Sequence, residues 1–455
     1  MSYSGKTALV VGLARSGIAA ARALNSLNAK VMVSDIKTYN QLCEAVKNLD
    51  NLDIDFYLGS TPDNLVEKAD LIVISPSVPI DSPFIRKAKG LGIEVVSEIE
   101  LACRLCKAPI VAITGTNGKT TTVTLTGEML NNYGMNAHIL GNIGKPFIER
   151  AMELNTDDVA VVEVSSFQLE AVNTFHPYIA AILNITEDHL NRHKTMDNYI
   201  AMKARIFENS YSNDWVVLNA DDPETAALGS RTNARVVYFS RKKILMRGAW
   251  VQNGIITMDI GNGKEYVCGT DDIFIPGEHN LENSLAASLM ARIMGVDPGC
   301  IADTLKNFKG VEHRIEFVEV ISDVKFYNDS KGTNPDASIK AIQAMKGPTV
   351  LIAGGMDKGS GFDELIESFD GKVTHMIVLG ETADKLMRTA KEKGFDNVYR
   401  VNTVEESVKK AFGFAVPHSN VLFSPACASW DMFTDYEERG RVFKNAVKAL
   451  KEEVE

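Results

Sequence analysis

Eleven apolar runs of four to six residues recur along the chain, most of them leading into a glycine- or Asp/Asn-rich turn and then a longer amphipathic stretch. Strands of a parallel sheet are covered on both faces, so they read as near-continuous apolar runs, and each return between them needs a helix-length crossover. The pattern therefore predicts an α/β protein. The expected strands are Thr7–Val11, Lys30–Ser34, Leu71–Ser75, Ile110–Thr114, Val159–Val164, Ala180–Leu183, Val216–Asn219, Val324–Asn328, Thr349–Ala353, His375–Leu379 and Val421–Ser424.

At 455 residues the chain exceeds one ordinary core and suggests two to four domains at roughly 100–200 residues each. A helical segment near 98–106 ends in Lys107-Ala108-Pro109 before a fresh strand, and Gly310-Val311-Glu312-His313 separates another helical segment from a new strand series. These breaks predict three units: 1–97, 98–310 and 311–455.

Lys and Arg number 48 against 59 Asp and Glu, a net charge of -11 that argues against broad attraction to nucleic acid or an anionic membrane. Any anionic ligand must be held by a local site. No run of 18 apolar residues occurs, and Met1-Ser2-Tyr3-Ser4-Gly5-Lys6 lacks a signal-peptide hydrophobic region, so a cytoplasmic protein is expected. The six cysteines are scattered, which predicts reduced thiols. Cys103 and Cys106 form a CxxC, but they read as one helix face with no second pair at zinc spacing, and no metal or redox role is expected.

Two glycine loops carry the chemistry. Thr7–Val11 runs into Gly12-Leu13-Ala14-Arg15-Ser16-Gly17 and an amphipathic helix, the context of a dinucleotide fingerprint. Ala14 replaces the glycine that lets backbone approach a pyrophosphate, which weakens an NAD reading and leaves a nucleotide or nucleotide sugar open. Asp35, closing the second strand, could bond a ribose or base, or cap a turn. The second loop, Gly115-Thr116-Asn117-Gly118-Lys119-Thr120-Thr121, follows the apolar run Ile110–Thr114. Backbone N–H groups of such a loop cradle phosphates, Lys119 can reach terminal phosphates and Thr120 can place its hydroxyl on Mg²⁺. Ile113 stands at the first glycine position of the G-x-x-x-x-G-K-S/T pattern, yet ATP binding is the working reading. Glu163 at a strand end and His189 after another supply potential metal ligands.

Taken with Glu163-Val164-Ser165-Ser166-Phe167-Gln168-Leu169, Asn184-Ile185-Thr186-Glu187-Asp188-His189 and Ala201-Met202-Lys203-Ala204-Arg205, the second loop resembles the Mur ligase family. The resemblance continues through Gly277–Asn283, His313-Arg314, Asn328–Asn334, Gly354–Gly359 and Ser424-Pro425-Ala426-Cys427-Ala428-Ser429, and so spans the chain in order. It implies a Rossmann-like N-terminal domain that binds a UDP-sugar (1–97), a central P-loop ATPase-like domain with a parallel or mixed sheet (98–310) and a Rossmann-like C-terminal domain for the amino acid (311–455). The Ser-Ser-Phe-Gln-Leu and Ser-Pro-Ala-Cys-Ala-Ser segments resemble the D-glutamate-adding branch. That branch implies an ADP-forming ligase of peptidoglycan precursor synthesis that uses ATP and Mg²⁺. ATP would activate the carboxylate of UDP-N-acetylmuramoyl-L-alanine as an acyl phosphate, which the amine of D-glutamate attacks.

By the same resemblance Lys119, Lys203, His189 and Arg314 are catalytic. Gly115, Thr116, Asn117, Gly118, Lys119, Thr120, Thr121, Asn280, Asn283, Arg314, Asp329 and Lys331 match ATP-binding positions. Thr120, Glu163, His189 and Lys203 match metal ligands, the last as a carbamylated lysine. Arg15, Ser16, Asp35, Lys37, Ser77 and Asn142 match the UDP-sugar site, and Thr333, Lys358, Ser429 and Tyr436 the amino-acid site. Tyr436 and Trp430 stand where the family often has Phe and Leu, and Ser77-Val78 follows Ser75-Pro76 where a Gly is frequent. A monomer with no nucleic-acid or membrane partner is expected. Other Mur-type or folylpolyglutamate-type ligases are the alternatives within the class, although the Asp-Asn-Pro-Arg signature of diamino-acid adders is absent. A non-catalytic nucleotide-binding regulator is the alternative outside it.

Overall fold

The computed structural model describes residues 2–454. Its strands form three sheets. The first contains β1 (Thr7–Val11), β2 (Lys30–Asp35), β3 (Ile54–Leu58), β4 (Leu71–Ile74) and β5 (Glu94–Ser97), all parallel, in the order β3-β2-β1-β4-β5. The second has nine strands: β6 (Ile110–Thr114), β7 (Asn136–Gly141), β8 (Asp158–Glu163), β9 (Ile179–Ile182), β10 (Trp215–Asn219), β11 (Arg235–Ser240), β12 (Gly248–Gln252), β13 (Ile255–Asp259) and β14 (Glu265–Gly269). Its order is β14-β13-β12-β11-β10-β9-β6-β8-β7, parallel from β7 to β12 and antiparallel beyond. The third comprises β15 (Glu316–Ile321), β16 (Val324–Asn328), β17 (Thr349–Gly354), β18 (Val373–Leu379), β19 (Val398–Arg400) and β20 (Asn420–Phe423), in the order β15-β16-β20-β17-β18-β19. Only its β15–β16 pair is antiparallel among the described residues.

Each of the eleven expected apolar runs forms a strand, with ends shifted by at most two residues. Several of the strands that the apolar pattern did not announce are buried only in part, although β5 is buried beyond its first residue. In β3 every second residue faces water, and β15 is covered only in part. The β12–β14 meander turns at Asn253-Gly254, a hairpin dipeptide that composition alone makes a turn signal.

Packing gathers the described residues up to Asp271, with Glu282–Thr304, into one compact unit, and Asp272–Leu281 with the chain from Leu305 onward into another. Within the first unit a single apolar cluster runs from Val10, Val33 and Val73 of the first sheet to Ala112, Val162 and Ile182 of the second, through Ile99, Phe147 and Phe175. The helix Glu98–Leu105 crosses this seam. Its buried Glu98 accepts the Ile148 N–H at 2.7 Å, and Ser97 N–H donates to the Ala171 carbonyl. Cys103 lies on the same helix, where burial pushes its thiol up to about 11, away from the reactive thiolate. In the second unit, apolar clusters cover both faces of the third sheet. No described helix is long and apolar enough to cross a membrane.

Candidate active site

The second glycine loop leaves β6 inside its sheet, between the parallel neighbours β8 and β9, so the segments after all three strands meet at one end of the sheet. Gly118 is the N-cap of the helix Lys119–Asn132 and adopts φ +83, a left-handed conformation that favours glycine. A side chain there would also overlap the Asn283 carboxamide. Asn283 sits against the loop, accepting from Thr122 Oγ1 at 3.3 Å. Asn117 N–H donates to Asn184 Oδ1 at 2.8 Å, and Thr116 Oγ1 donates to the Thr186 carbonyl at 3.2 Å, so the segment after β9 braces the loop. Thr121 is buried in the first helical turn.

Two ammonium groups converge on one carbonyl. Lys119 Nζ donates to the Gly115 and Thr116 oxygens, each at 2.8 Å, and Lys203 Nζ donates to the same Gly115 oxygen at 2.9 Å. Lys203 is 2% exposed. Burial first, and Lys119 second, hold its amine well below the ordinary lysine range, so the neutral form is favoured. Glu163, buried at the end of β8, accepts from Thr120 Oγ1 and from Asn142 Nδ2, both at 2.9 Å. A hydroxyl and a carboxylate oxygen thus stand side by side, the hard donor type that Mg²⁺ takes. His189 is about half exposed, in left-handed backbone, with its ring 4.8 Å from that of Phe167.

In the first sheet, strand order reverses between β1 and β4, and the first glycine loop and Ser77 follow those two strands. Both Asp35 oxygens are occupied by backbone: Leu13 N–H at 2.7 Å and Lys37 N–H at 2.9 Å. Asp35 therefore shapes the loop. The Arg15 guanidinium donates to the Gly144 carbonyl, bringing this loop to the segment that carries Asn142. Ser16 is half-buried, whereas Lys37 and Ser77 are exposed.

The second unit collects another set at the ends of β16, β17 and β20. Asp329 follows β16, is buried, and accepts from Ser424 Oγ at 2.6 Å and Ile315 N–H at 3.2 Å. Burial raises its carboxyl to about 7 against the opposing pull of Ser424 and Arg314. Arg314 keeps a buried Nε without a hydrogen-bond partner, and the residues on either side of it, His313 and Ile315, both have positive φ. Lys331 N–H donates to the His313 carbonyl, and Thr333 N–H to the Lys331 carbonyl. Asn280 Nδ2 donates to the Pro276 carbonyl at 2.7 Å. Thr333 and Lys358 line one narrow pocket, while Ser429 is buried and Tyr436 half-buried. Glu312, His313 and Glu316 lie close enough to share a cation, but the Lys444 ammonium already contacts both carboxylates, at 3.0 and 2.5 Å.

Residues outside the expected set complete the frame. Tyr199 puts its ring 4.5 Å from Lys203 Nζ and its hydroxyl 3.2 Å from Thr116 Oγ1. It precedes Lys203 by four residues on one helix, a spacing that sequence alone could have flagged. Arg439, 2% exposed, donates to the Ser330, Cys427 and Ala428 carbonyls and to Ser330 Oγ, tying together the segments after β16 and β20. No short-range pattern announces that link.

Three family descriptions match consecutive parts of the chain: a MurD-like N-terminal domain of Mur ligases over residues 6–97, the Mur ligase middle domain over 113–291, and the Mur ligase glutamate ligase domain over 313–427. The UDP-N-acetylmuramoylalanine--D-glutamate ligase of Thermoanaerobacter sp. (strain X514) is 52% identical over 453 residues, covering 99% of this chain and 100% of the relative. The enzyme of the same name from Clostridioides difficile (strain 630) is 46% identical over 453 residues, again covering 99% of this chain and 100% of the relative. Among solved structures, UDP-N-acetylmuramate-alanine ligase MurC from Thermotoga maritima matches with a TM-score of 0.58 at 20% identity, covering 98% of this chain and 100% of that one. MurF from Acinetobacter baumannii matches with a TM-score of 0.59 at 18% identity, covering 96% and 93%. These structures share the fold, and the sequence relatives, matched end to end, establish that the chain belongs to the Mur ligase family.

Proposed function

We propose that the protein joins the amine of D-glutamate to the carboxyl group of UDP-N-acetylmuramoyl-L-alanine, with ATP converted to ADP and phosphate, in peptidoglycan precursor synthesis. The observation that carries the reading is the meeting of Lys119, Lys203, Thr120 and Glu163 around the loop after β6. A carboxylate is a poor acylating agent, so ATP transfers its terminal phosphoryl group to it. The acyl phosphate is then attacked by the D-glutamate amine, phosphate leaves, and the amine proton is lost as the amide forms. Two anions must approach in this sequence, and the chain answers with positioning and positive charge.

Thr120 and Glu163 would hold Mg²⁺, with His189 and a carbamylated Lys203 completing the set. When bound, the ion supplies charge neutralisation and a template for phosphate oxygens. The Lys203 amine offers no oxygen, but a neutral amine adds CO₂ to give an anionic carbamate and one proton, and its burial favours that neutral form. Lys119, Asn280, Asn283, Arg314, Asp329 and Lys331 serve ATP. Arg15, Ser16, Asp35, Lys37, Ser77 and Asn142 serve the UDP-sugar, Asp35 by holding the loop. Thr333, Lys358, Ser429 and Tyr436 serve D-glutamate. In this reading the domains are 1–97, 98–310 and 311–455, and the enzyme is a cytoplasmic monomer.

The test is ADP release with UDP-N-acetylmuramoyl-L-alanine, Mg²⁺ and a panel of amino acids. Turnover confined to D-glutamate is expected. Equal turnover with other acceptors, or none with any, would remove the reading. Lys203→Ala should lose most activity and regain part of it with added short carboxylates, and full activity in that variant would defeat the carbamate.

A further inference from the structure

The exposed segment that follows Ser429 holds an indole with no packing role of its own. Trp430 is 63% exposed, whereas Trp250 is fully buried. The Lys358 ammonium lies 4.7 Å from the Trp430 ring centroid. This contact is built in. Met356 and Ala428 pair as an antiparallel bridge, with Met356 N–H donating to the Ala428 carbonyl at 3.0 Å, which ties the segment carrying Lys358 to the one carrying Trp430. On the other side, Asp431 accepts the Glu381 N–H at 3.0 Å, and the Ser429 carbonyl accepts from Met432 and Phe433.

Lys358 also lines the narrow pocket shared with Thr333, Phe362 and Cys427. The neighbouring acid cannot neutralise it, because Asp357 is held by Lys385 at 3.1 Å and by the Gly359 N–H at 2.7 Å. Among the described residues Lys358 has no carboxylate partner. An aromatic face restrains an ammonium through its quadrupole and leaves the positive charge available to an anion, whereas a carboxylate would consume it. It also removes rotamer freedom that binding would otherwise have to remove.

We infer that Trp430 is a specificity-determining positioning residue: its indole holds the Lys358 ammonium at the pocket, fixing where a carboxylate of the amino-acid substrate must lie. The inference rests on the proposed reading of this pocket as the D-glutamate site and adds a residue that acts through Lys358.

The experiment compares wild type, Trp430→Leu and Trp430→Phe in steady-state assays with D-glutamate varied. An exposed cation–aromatic contact corresponds to about a two- to fivefold effect. Trp430→Leu should raise the KM for D-glutamate by that factor, with kcat and the KM for ATP unchanged, and Trp430→Phe should recover most of the loss. In parallel, D-glutamate should change the tryptophan emission of the wild type, and that change should vanish in Trp430→Phe. An unaltered KM in Trp430→Leu, an equal loss in kcat, or a phenylalanine variant no better than leucine would overturn the inference while leaving the function standing. Absence of D-glutamate turnover in the wild type would remove both.

Discussion

Replacing Gly118 by alanine tests whether the phosphate loop and Asn283 form one packed element. Gly118 caps its helix at φ +83, where an L side chain costs roughly 1–2 kcal/mol. The added methyl group would overlap the Asn283 carboxamide oxygen. Asn283 must then move and give up the bond from Thr122 Oγ1, a further loss of about 0.5–1.5 kcal/mol. The combined cost is about 1.5–3.5 kcal/mol. Gly134→Ala is the matched control: its φ is +93, and no atom lies within 4 Å of the added carbon, so only the backbone contribution applies. Urea denaturation should show Gly118→Ala less stable than Gly134→Ala by about 1 kcal/mol. Nucleotide binding should separate them further, because the methyl group and a displaced Asn283 both intrude where ATP is expected. A rise in the ATP KM of about tenfold, equivalent to ~1.4 kcal/mol, is expected for Gly118→Ala and none for Gly134→Ala. Equal stability losses together with unchanged nucleotide affinity would refute the packing argument.

Lys203→Met keeps the aliphatic stem and removes the buried amine, so turnover should fall by about 10²-fold or more. The depressed amine makes the unfolded chain the better proton binder below the free value of 10.5. With CO₂ excluded so that the amine is free, wild-type stability should therefore rise toward that pH, and Lys203→Met should be at least as stable as wild type at pH 7 with a margin that narrows as pH rises. A variant clearly less stable at pH 7 would contradict this. Burial raises Glu98 from 4.5 to about 7, so the folded state holds its proton more tightly. Wild type should lose on the order of 3 kcal/mol as pH rises from 4.5 through 7, and Glu98→Gln should not; parallel pH profiles of unfolding free energy would sink the assignment. Arg439→Lys cannot span the Ser330, Cys427 and Ala428 carbonyls with a single ammonium, so chemical denaturation should show a loss of about 1.5–3 kcal/mol; a loss below about 0.5 kcal/mol would show that the network holds little.

Contiguity decided what could be read from the chain. Strands buried on both faces, such as β6 and β17, are legible because nearly all of their residues are apolar. The half-exposed β3 and the hairpin-joined β12–β14 mix polar and apolar residues, and their pairing is set by partners elsewhere. The phosphate loop was legible for a related reason, since its constraints fall on seven consecutive residues. Glu163 and Asn142 were each visible singly, but their bond depends on the pairing of β7 with β8. The place of Asp35 at a strand end fits either a ligand contact or a cap, and its two backbone partners are contacts that no spacing rule supplies. Arg439 and Trp430 act across loops from different strands, which only tertiary placement reveals.

The apolar cluster shared by the first two sheets bears on how the chain can be cut and recombined. The first 97 residues are not an independent cassette. Removing them would take away the helix Arg15–Ser26 that packs on the helix Phe147–Ala151, leaving Phe147 and Ile148 without part of their cover, so a transplant would have to carry both sheets or redesign the seam. The chain also passes between the compact units at 271, 281 and 304, so no single cut separates them. A chimaera that exchanges the second compact unit must bring residues 272–281 along with the chain from Leu305 onward, and a junction placed only after 304 would leave that ten-residue segment in a foreign host.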